Sequence, residues 1–155
     1  MILALDFDGV LHPVNSQTEP KFCRLHLLES WLRAWPGVDV VISSSWREEH
    51  PFDLLQSFFA EDLHMRVIGT TPLAHTLLAP ARSRSDAERA VAIGERQYEI
   101  EQWMATHRAT EAWMALDDDD SLFRADCTRV VLCDSSVGLT TEHLFRLDKL
   151  ALMAT

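Results

Sequence analysis

Short apolar runs alternate along the chain with stretches in which apolar residues recur every three or four positions. The runs predict buried strands at residues 2–5, 38–43, 65–68, 112–116 and 129–133. The helical spacing is clearest over residues 24–35, and Pro36-Gly37 ends it. Because strands that alternate with helices form parallel sheets, the pattern predicts an α/β fold with a doubly wound, mostly parallel, Rossmann-like sheet of about five strands.

Weaker signals predict the remaining elements. Further helices are expected over residues 52–59, from Ser85, through Ile100–Met104, and from Thr140 or Thr141. The start at Ser85 is predicted because Ser85 and Glu88 have the spacing of a capping box. Residues 73–84 are expected to form an exposed loop.

The composition is that of a globular protein. Of the 155 residues, 47% are apolar and 25% are charged, so we expect residues 1–155 to form a single domain with an ordinary core. No apolar run approaches the roughly 18 residues needed to cross a bilayer, which predicts a cytoplasmic protein without a membrane partner. Cys23, Cys127 and Cys133 lack Cys-x-x-Cys spacing, which argues against a disulfide framework or a thiolate zinc site.

The net charge of −10 opposes nonspecific attraction to nucleic acid and to anionic membranes. Part of this acidity is concentrated in the run Asp117-Asp118-Asp119-Asp120. Nucleic acid is therefore expected only as a substrate.

The first predicted strand ends in Asp6-Phe7-Asp8-Gly9. Ligands of open α/β sheets bind at the carboxyl edge of the strands, so this position suits a reactive carboxylate. One carboxylate can attack while the other transfers protons. The alternative is that Asp-x-Asp-Gly is simply a turn, because Asp and Gly are common turn formers.

Two further groups are expected at the same edge of the sheet. Ser43 and Ser44 follow the second strand and offer hydroxyl and backbone N–H groups to phosphoryl oxygens, unless the serines merely cap a helix. Asp117 and Asp118 follow the fourth strand and complete an all-oxygen site for Mg²⁺ with Asp6, unless the run is a solvated acidic loop.

Two arginine assignments are less direct. Arg96, near the start of a predicted helix, offers a fixed positive charge to a phosphoryl group, although by itself it is typical of a surface residue. Arg47, Arg82 and Arg84 are candidates for an anion-binding rim, or else for ordinary solvated side chains. His12 is a candidate for the pocket entrance or a plain loop residue.

These segments, in this order, resemble the haloacid dehalogenase-like (HAD) hydrolase superfamily. The resemblance is carried by the motifs Asp6-Phe7-Asp8-Gly9, Ser43-Ser44-Ser45-Trp46, Arg96-x-x-Glu99-Ile100 and Leu116-Asp117-Asp118. The Ser-Ser-Ser-Trp segment and the stretch from Asp134 to Thr140 are similar to small phosphatase-type members, including the hydrolase domain linked to RNA repair proteins.

The resemblance implies a role for each motif. Asp6 would be the nucleophile that forms an aspartyl-phosphate, and Asp8 the acid that protonates the leaving oxygen and then activates water. Mg²⁺ would be held by the Asp6 carboxylate, the Asp8 carbonyl and Asp117, with Asp118 in support. Ser44 or Ser43 would bind the phosphoryl group, and Arg96 would neutralise it.

The chain has no room for the full cap domain that many members of this superfamily carry, so an open site is expected. An open site favours a large phosphorylated substrate, a nucleic-acid end or a phosphoprotein, or a partner subunit, such as a second copy in a homo-oligomer, that closes the site. Two alternatives to an enzyme remain. One is a signalling domain that is phosphorylated on Asp6, and the other is a HAD-fold binding module whose catalysis has decayed.

Overall fold

The computed structural model describes residues 1–77 and 94–154. Its centre is a parallel sheet with the strand order β3-β2-β1-β4-β5. The strands are β1 (Ile2–Leu5), β2 (Asp39–Ile42), β3 (Val67–Thr70), β4 (Trp113–Asp117) and β5 (Val130–Leu132). The order reverses at β1, so the predicted Rossmann-like, HAD-like α/β sheet is confirmed.

Helices cover both faces of the sheet because the buried strands are apolar on both sides. The helices are α1 (Leu25–Ala34), α2 (Trp46–Glu49), α3 (Phe52–Gln56), α4 (Ala74–Leu77), α5 (Glu95–His107) and α6 (Thr141–Met153). Leu3 and Leu5 of β1 pack with α1 and α6 on one face, and Ile2 and Ala4 pack with α5 on the other. The alternation of side chains along β1 therefore sets the two layers.

Three predicted elements differ from the structure in their bounds, and the first, the helix expected over residues 52–59, ends at Gln56. Residues 61–66 form a 3₁₀ helix, so the third strand begins at Val67, and Met65 is 88% exposed. The Gln56 side-chain amide donates to the carbonyls of His64 and Val67 and holds this turn in place. The expected loop at 73–84 contains α4, while the predicted start at Ser85 and residues Arg82 and Arg84 lie outside the described residues.

No separate cap domain is formed by the described residues between β1 and α1 or between β2 and β3. The segment after β1 is mostly loop, and the segment after β2 holds only α2, α3 and the 3₁₀ helix. Within residues 1–77 and 94–154, no helix is long and apolar enough to cross a membrane.

The helices α1 and α6 are joined by two partly buried hydrogen bonds to one side chain. The indole N–H groups of Trp31 and Trp35 both donate to the same oxygen of Asp148, at 2.8 Å each. The start of α6 is fixed separately, because the Thr140 N–H donates to His143 Nδ1 at 3.0 Å, which confirms Thr140 as the cap. The tryptophans of α1 are thus structural residues.

Replacing Asp148 by Ala leaves both indole N–H groups without their acceptor. We expect Asp148→Ala to lower the free energy of unfolding by about 2 kcal/mol, measured by urea titration. The matched control is Lys149→Ala, because Lys149 is exposed on the same helix. Equal stability of the two variants would contradict this account of the contact.

Candidate active site

Three neighbouring strands end side by side at the carboxyl edge of the sheet. Leu5 of β1 is in register with Ile42 of β2 and with Leu116 of β4. The next residue on each chain segment is polar: Asp6, Ser43 and Asp117. All three are buried, with 7%, 1% and 1% exposure respectively. The sheet therefore brings together the groups that sequence reasoning placed at this edge.

Three carboxylates form a cluster at this edge. Oxygen atoms of Asp6, Asp117 and Asp118 all lie within 4.8 Å of one another. Asp118 reaches the cluster because Gly9 has no side chain: a Cβ at position 9 would lie 2.1 Å from Asp118 Oδ2. Gly9 also has a φ of +68°, a conformation that favours glycine. Glycine is therefore needed at position 9 for two reasons: the positive φ of the turn, and the space that the Asp118 carboxylate occupies.

Burial and a neighbouring negative charge make Asp117 and Asp118 hard to ionise. Burial, with the nearby charge of Asp6, raises the pKa of Asp117 to about 7, although Arg96 opposes the shift. The same two causes raise the pKa of Asp118. A cation at this position would relieve both effects.

The cluster suits a divalent cation. All its donors are carboxylate oxygens, which Mg²⁺ prefers, and the repulsion among them is what a bound cation removes. The close approach of Asp118 to Gly9 brings a third carboxylate to the same point. The carboxylates of Asp6, Asp117 and Asp118 therefore have the donor chemistry that fits the predicted Mg²⁺.

Arg96 is the positive charge of the site. It lies on the first turn of α5 and is only 9% exposed. Its Nη1 atom lies 3.2 Å from Asp117 Oδ2, 3.6 Å from Asp6 Oδ1 and 3.5 Å from Ser43 Oγ. The structure thus brings Arg96 into the site, so the alternative of a surface arginine is wrong.

The location of the Arg47 side chain differs from both expectations based on the sequence. Its side chain is 5% exposed, so it belongs neither to an anion-binding rim nor to the solvated surface. Its guanidinium donates to the carbonyls of Ser43, Ser44 and Thr71, and forms an ion pair with Glu99 at 2.5 Å. Arg47 therefore fixes the loop after β2 instead of facing a ligand.

Glu99 links this loop to Arg96. It is 4% exposed, accepts the Ala74 N–H at 2.8 Å and lies 3.9 Å from Arg96 Nε. Burial raises the pKa of Glu99, while the charges of Arg47 and Arg96 act in the opposite direction. Sequence reasoning quoted Glu99 but gave it no role, and its position one helical turn after Arg96 was the available signal.

Asp8 stands apart from the carboxylate cluster. Its side chain is 46% exposed, and its two oxygens contact His12 Nε2 at 2.9 Å and Trp46 Nε1 at 2.7 Å. His12 Nδ1 is buried without a hydrogen-bond partner among the described residues. The tautomer with the proton on Nε2 avoids a buried unpaired N–H, so His12 donates to Asp8. Two donors therefore fix the Asp8 carboxylate.

Ser43 and Ser44 point to different surroundings. Ser43 Oγ faces Arg96, whereas Ser44 Oγ accepts the Trp46 N–H at 3.5 Å within its own loop. Both hydroxyls are buried. Sequence reasoning missed Trp46 and left His12 open, because neither contact with Asp8 is visible in a pattern of local spacing.

Comparison with known proteins gives one match. Residues 2–144 match the family described as the HAD domain in Swiss Army Knife RNA repair proteins, and the matched range contains every site residue described above. No curated protein and no solved structure matches the chain. The family points to a hydrolase in general and agrees with the resemblance found in the four sequence motifs. The chain therefore belongs to the family of HAD domains found in Swiss Army Knife RNA repair proteins.

Proposed function

We propose that the chain is a Mg²⁺-dependent phosphatase that forms an aspartyl-phosphate on Asp6. The observation that carries this proposal is the separation of two carboxylates with different surroundings. Asp6 lies in the cluster, 3.6 Å from Arg96, whereas Asp8 lies outside it and is held by two hydrogen-bond donors. One site thus contains a nucleophile and a separate acid–base group.

In the first step an Asp6 oxygen attacks the phosphorus of the substrate. The bond from phosphorus to the leaving oxygen breaks, and a protonated Asp8 gives its proton to that oxygen. Arg96 neutralises the phosphoryl oxygens, and Ser43 is better placed than Ser44 to donate to them because its hydroxyl faces Arg96. Such positioning and charge neutralisation account for most of phosphoryl-transfer catalysis.

In the second step water attacks the phosphorus of the aspartyl-phosphate. Asp8, now ionised, takes the proton from that water, and the bond between phosphorus and the Asp6 oxygen breaks. Inorganic phosphate leaves, and both aspartates return to their starting states. An immediately adjacent acid–base group favours rapid hydrolysis over the stable phosphorylation of a signalling domain.

The metal would be held by the carboxylates of Asp6, Asp117 and Asp118 and by the backbone carbonyl of Asp8. When bound, Mg²⁺ supplies positive charge to the nucleophile and to the transferred phosphoryl group. Its charge would oppose the raised pKa of the buried Asp117 carboxylate.

We propose a phosphorylated nucleic-acid end as the substrate. The matched family is described by its occurrence in RNA repair proteins, and a site without a cap among the described residues admits a large molecule. The net charge of −10 requires that such a substrate be held by local contacts, because the overall field repels it. A phosphoprotein is the competing substrate.

The nucleophile is tested with Asp6→Asn, in which the amide cannot form the aspartyl-phosphate. We expect phosphate release from an aryl phosphate with Mg²⁺ to fall by on the order of a thousandfold or more. Asp8→Asn should leave at most a phospho-enzyme that hydrolyses slowly, seen by intact-protein mass spectrometry. The matched control is Asp120→Asn in the same acidic run, where the residue is exposed. Full activity of Asp6→Asn would contradict the mechanism.

The metal site is tested through stability. The pKa of Asp117 is about 7 in the folded chain and 3.8 in its unperturbed state, so the folded state binds the extra proton between these values. Ionisation of Asp117 therefore lowers the stability of the metal-free protein as pH rises through about 4 to 7. Asp117→Asn should melt several degrees above the unmutated protein at about pH 8, with a smaller difference at about pH 5.

Added Mg²⁺ should raise the melting temperature of the unmutated protein and have much less effect on Asp117→Asn, because binding to the folded state alone stabilises it. Thermal melts with Mg²⁺ or chelator measure both effects. An equal Mg²⁺ shift in the two proteins, or none in the unmutated protein, would count against Asp117 as a ligand.

A further inference from the structure

A small polar cavity opens directly beside Asp8. It has a volume of about 230 Å³ and is lined by Asp8, Lys21, Ser45, Trp46, Glu49 and His50. The lining offers carboxylates, an ammonium, a hydroxyl and an imidazole around the edge of an indole. Such a set can both donate to and accept from a group that carries several hydroxyls.

The cavity is lined by Asp8, the group that is proposed to protonate the leaving oxygen. Trp46 lines the cavity and also donates to Asp8 Oδ2 at 2.7 Å. In the proposed mechanism Asp8 protonates the leaving oxygen, so the remainder of the leaving group begins where Asp8 is exposed. In the same mechanism the transferred phosphoryl group would lie beside Arg96 and the carboxylate cluster, none of whose residues lines the cavity. The cavity is therefore in the place where the leaving group must go.

Lys21 supplies the cavity with a cation. Its ammonium lies 4.4 Å from the centroid of the Trp46 ring, a cation–π contact. Within residues 1–77 and 94–154, no carboxylate lies within 4.0 Å of it. Trp46 is itself held edge to face by Phe7 and Phe22, with ring centroids 5.9 Å and 5.3 Å away. Lys21 thus rests on a fixed ring with its charge available to an anion.

We propose that this cavity is the subsite for the leaving group, and that it takes the sugar of a phosphorylated nucleotide end while Lys21 binds the next phosphodiester. This inference rests on the proposed phosphatase function. The volume of 230 Å³ suits one sugar unit. The carboxylates and Ser45 pair with sugar hydroxyls, and the ammonium pairs with the phosphodiester that a nucleic-acid leaving group carries and a phosphoprotein lacks.

The test compares two substrates that differ by the phosphodiester. The value of kcat/KM is measured for a nucleoside monophosphate and for a dinucleotide with the same phosphorylated terminal nucleotide, with both 3′- and 5′-phosphates. We expect the unmutated enzyme to prefer the dinucleotide by on the order of tenfold, and this preference to weaken with added salt. Lys21→Ala should bring the ratio close to one, mainly through KM, and Lys21→Arg should retain the preference.

The chain contains one other lysine, and Lys149→Ala is the matched control, because Lys149 is exposed on α6 and its loss should leave the preference unchanged. An undiminished preference in Lys21→Ala would overturn the subsite, as would a phosphoserine peptide hydrolysed better than the dinucleotide. Failure of the subsite differs from failure of the phosphatase: in the first case Mg²⁺-dependent hydrolysis of an aryl phosphate persists, and in the second no substrate is hydrolysed.

Discussion

The site depends on the crowding of like charges at one buried edge of the sheet. Three carboxylates have oxygens within 4.8 Å of one another, and Arg96 is the nearby positive charge that the described residues provide. One guanidinium does not offset this repulsion and the cost of burial together, since the pKa of Asp117 still rises to about 7. Additional positive charge would stabilise this edge of the sheet, which supports the proposed metal binding.

The two aspartates of the first motif differ in their surroundings, because only Asp6 lies in this crowded cluster. Asp6 ends β1 and belongs to the cluster, whereas the turn at Gly9 directs Asp8 outward to His12 and Trp46. In the proposed mechanism the carboxylate inside the cluster is the nucleophile. The carboxylate outside it, which two donors hold, is the proposed acid–base group. The backbone from Asp6 to Gly9 thus gives the two carboxylates different surroundings.

The sheet and the cluster were predictable because both follow from local sequence. Parallel strands meet at one edge, so the residues after β1, β2 and β4 had to come together once the strands were identified. The functions of Arg47 and Trp46 were not predictable in this way. Arg47 binds carbonyls and Glu99, which is 52 residues away, and Trp46 reaches Asp8 across 38 residues. Such contacts depend on side-chain packing, which spacing along the chain does not record.

In the proposed mechanism Asp6 carries the phosphoryl group during turnover. Its most direct test is to quench the enzyme during hydrolysis of an aryl phosphate with Mg²⁺, reduce the acyl phosphate with borohydride and sequence the resulting peptides. Borohydride converts a phosphorylated aspartate into homoserine. We expect homoserine at position 6, in amounts that increase in Asp8→Asn. Homoserine at another position, or none during active turnover, would exclude Asp6 as the nucleophile.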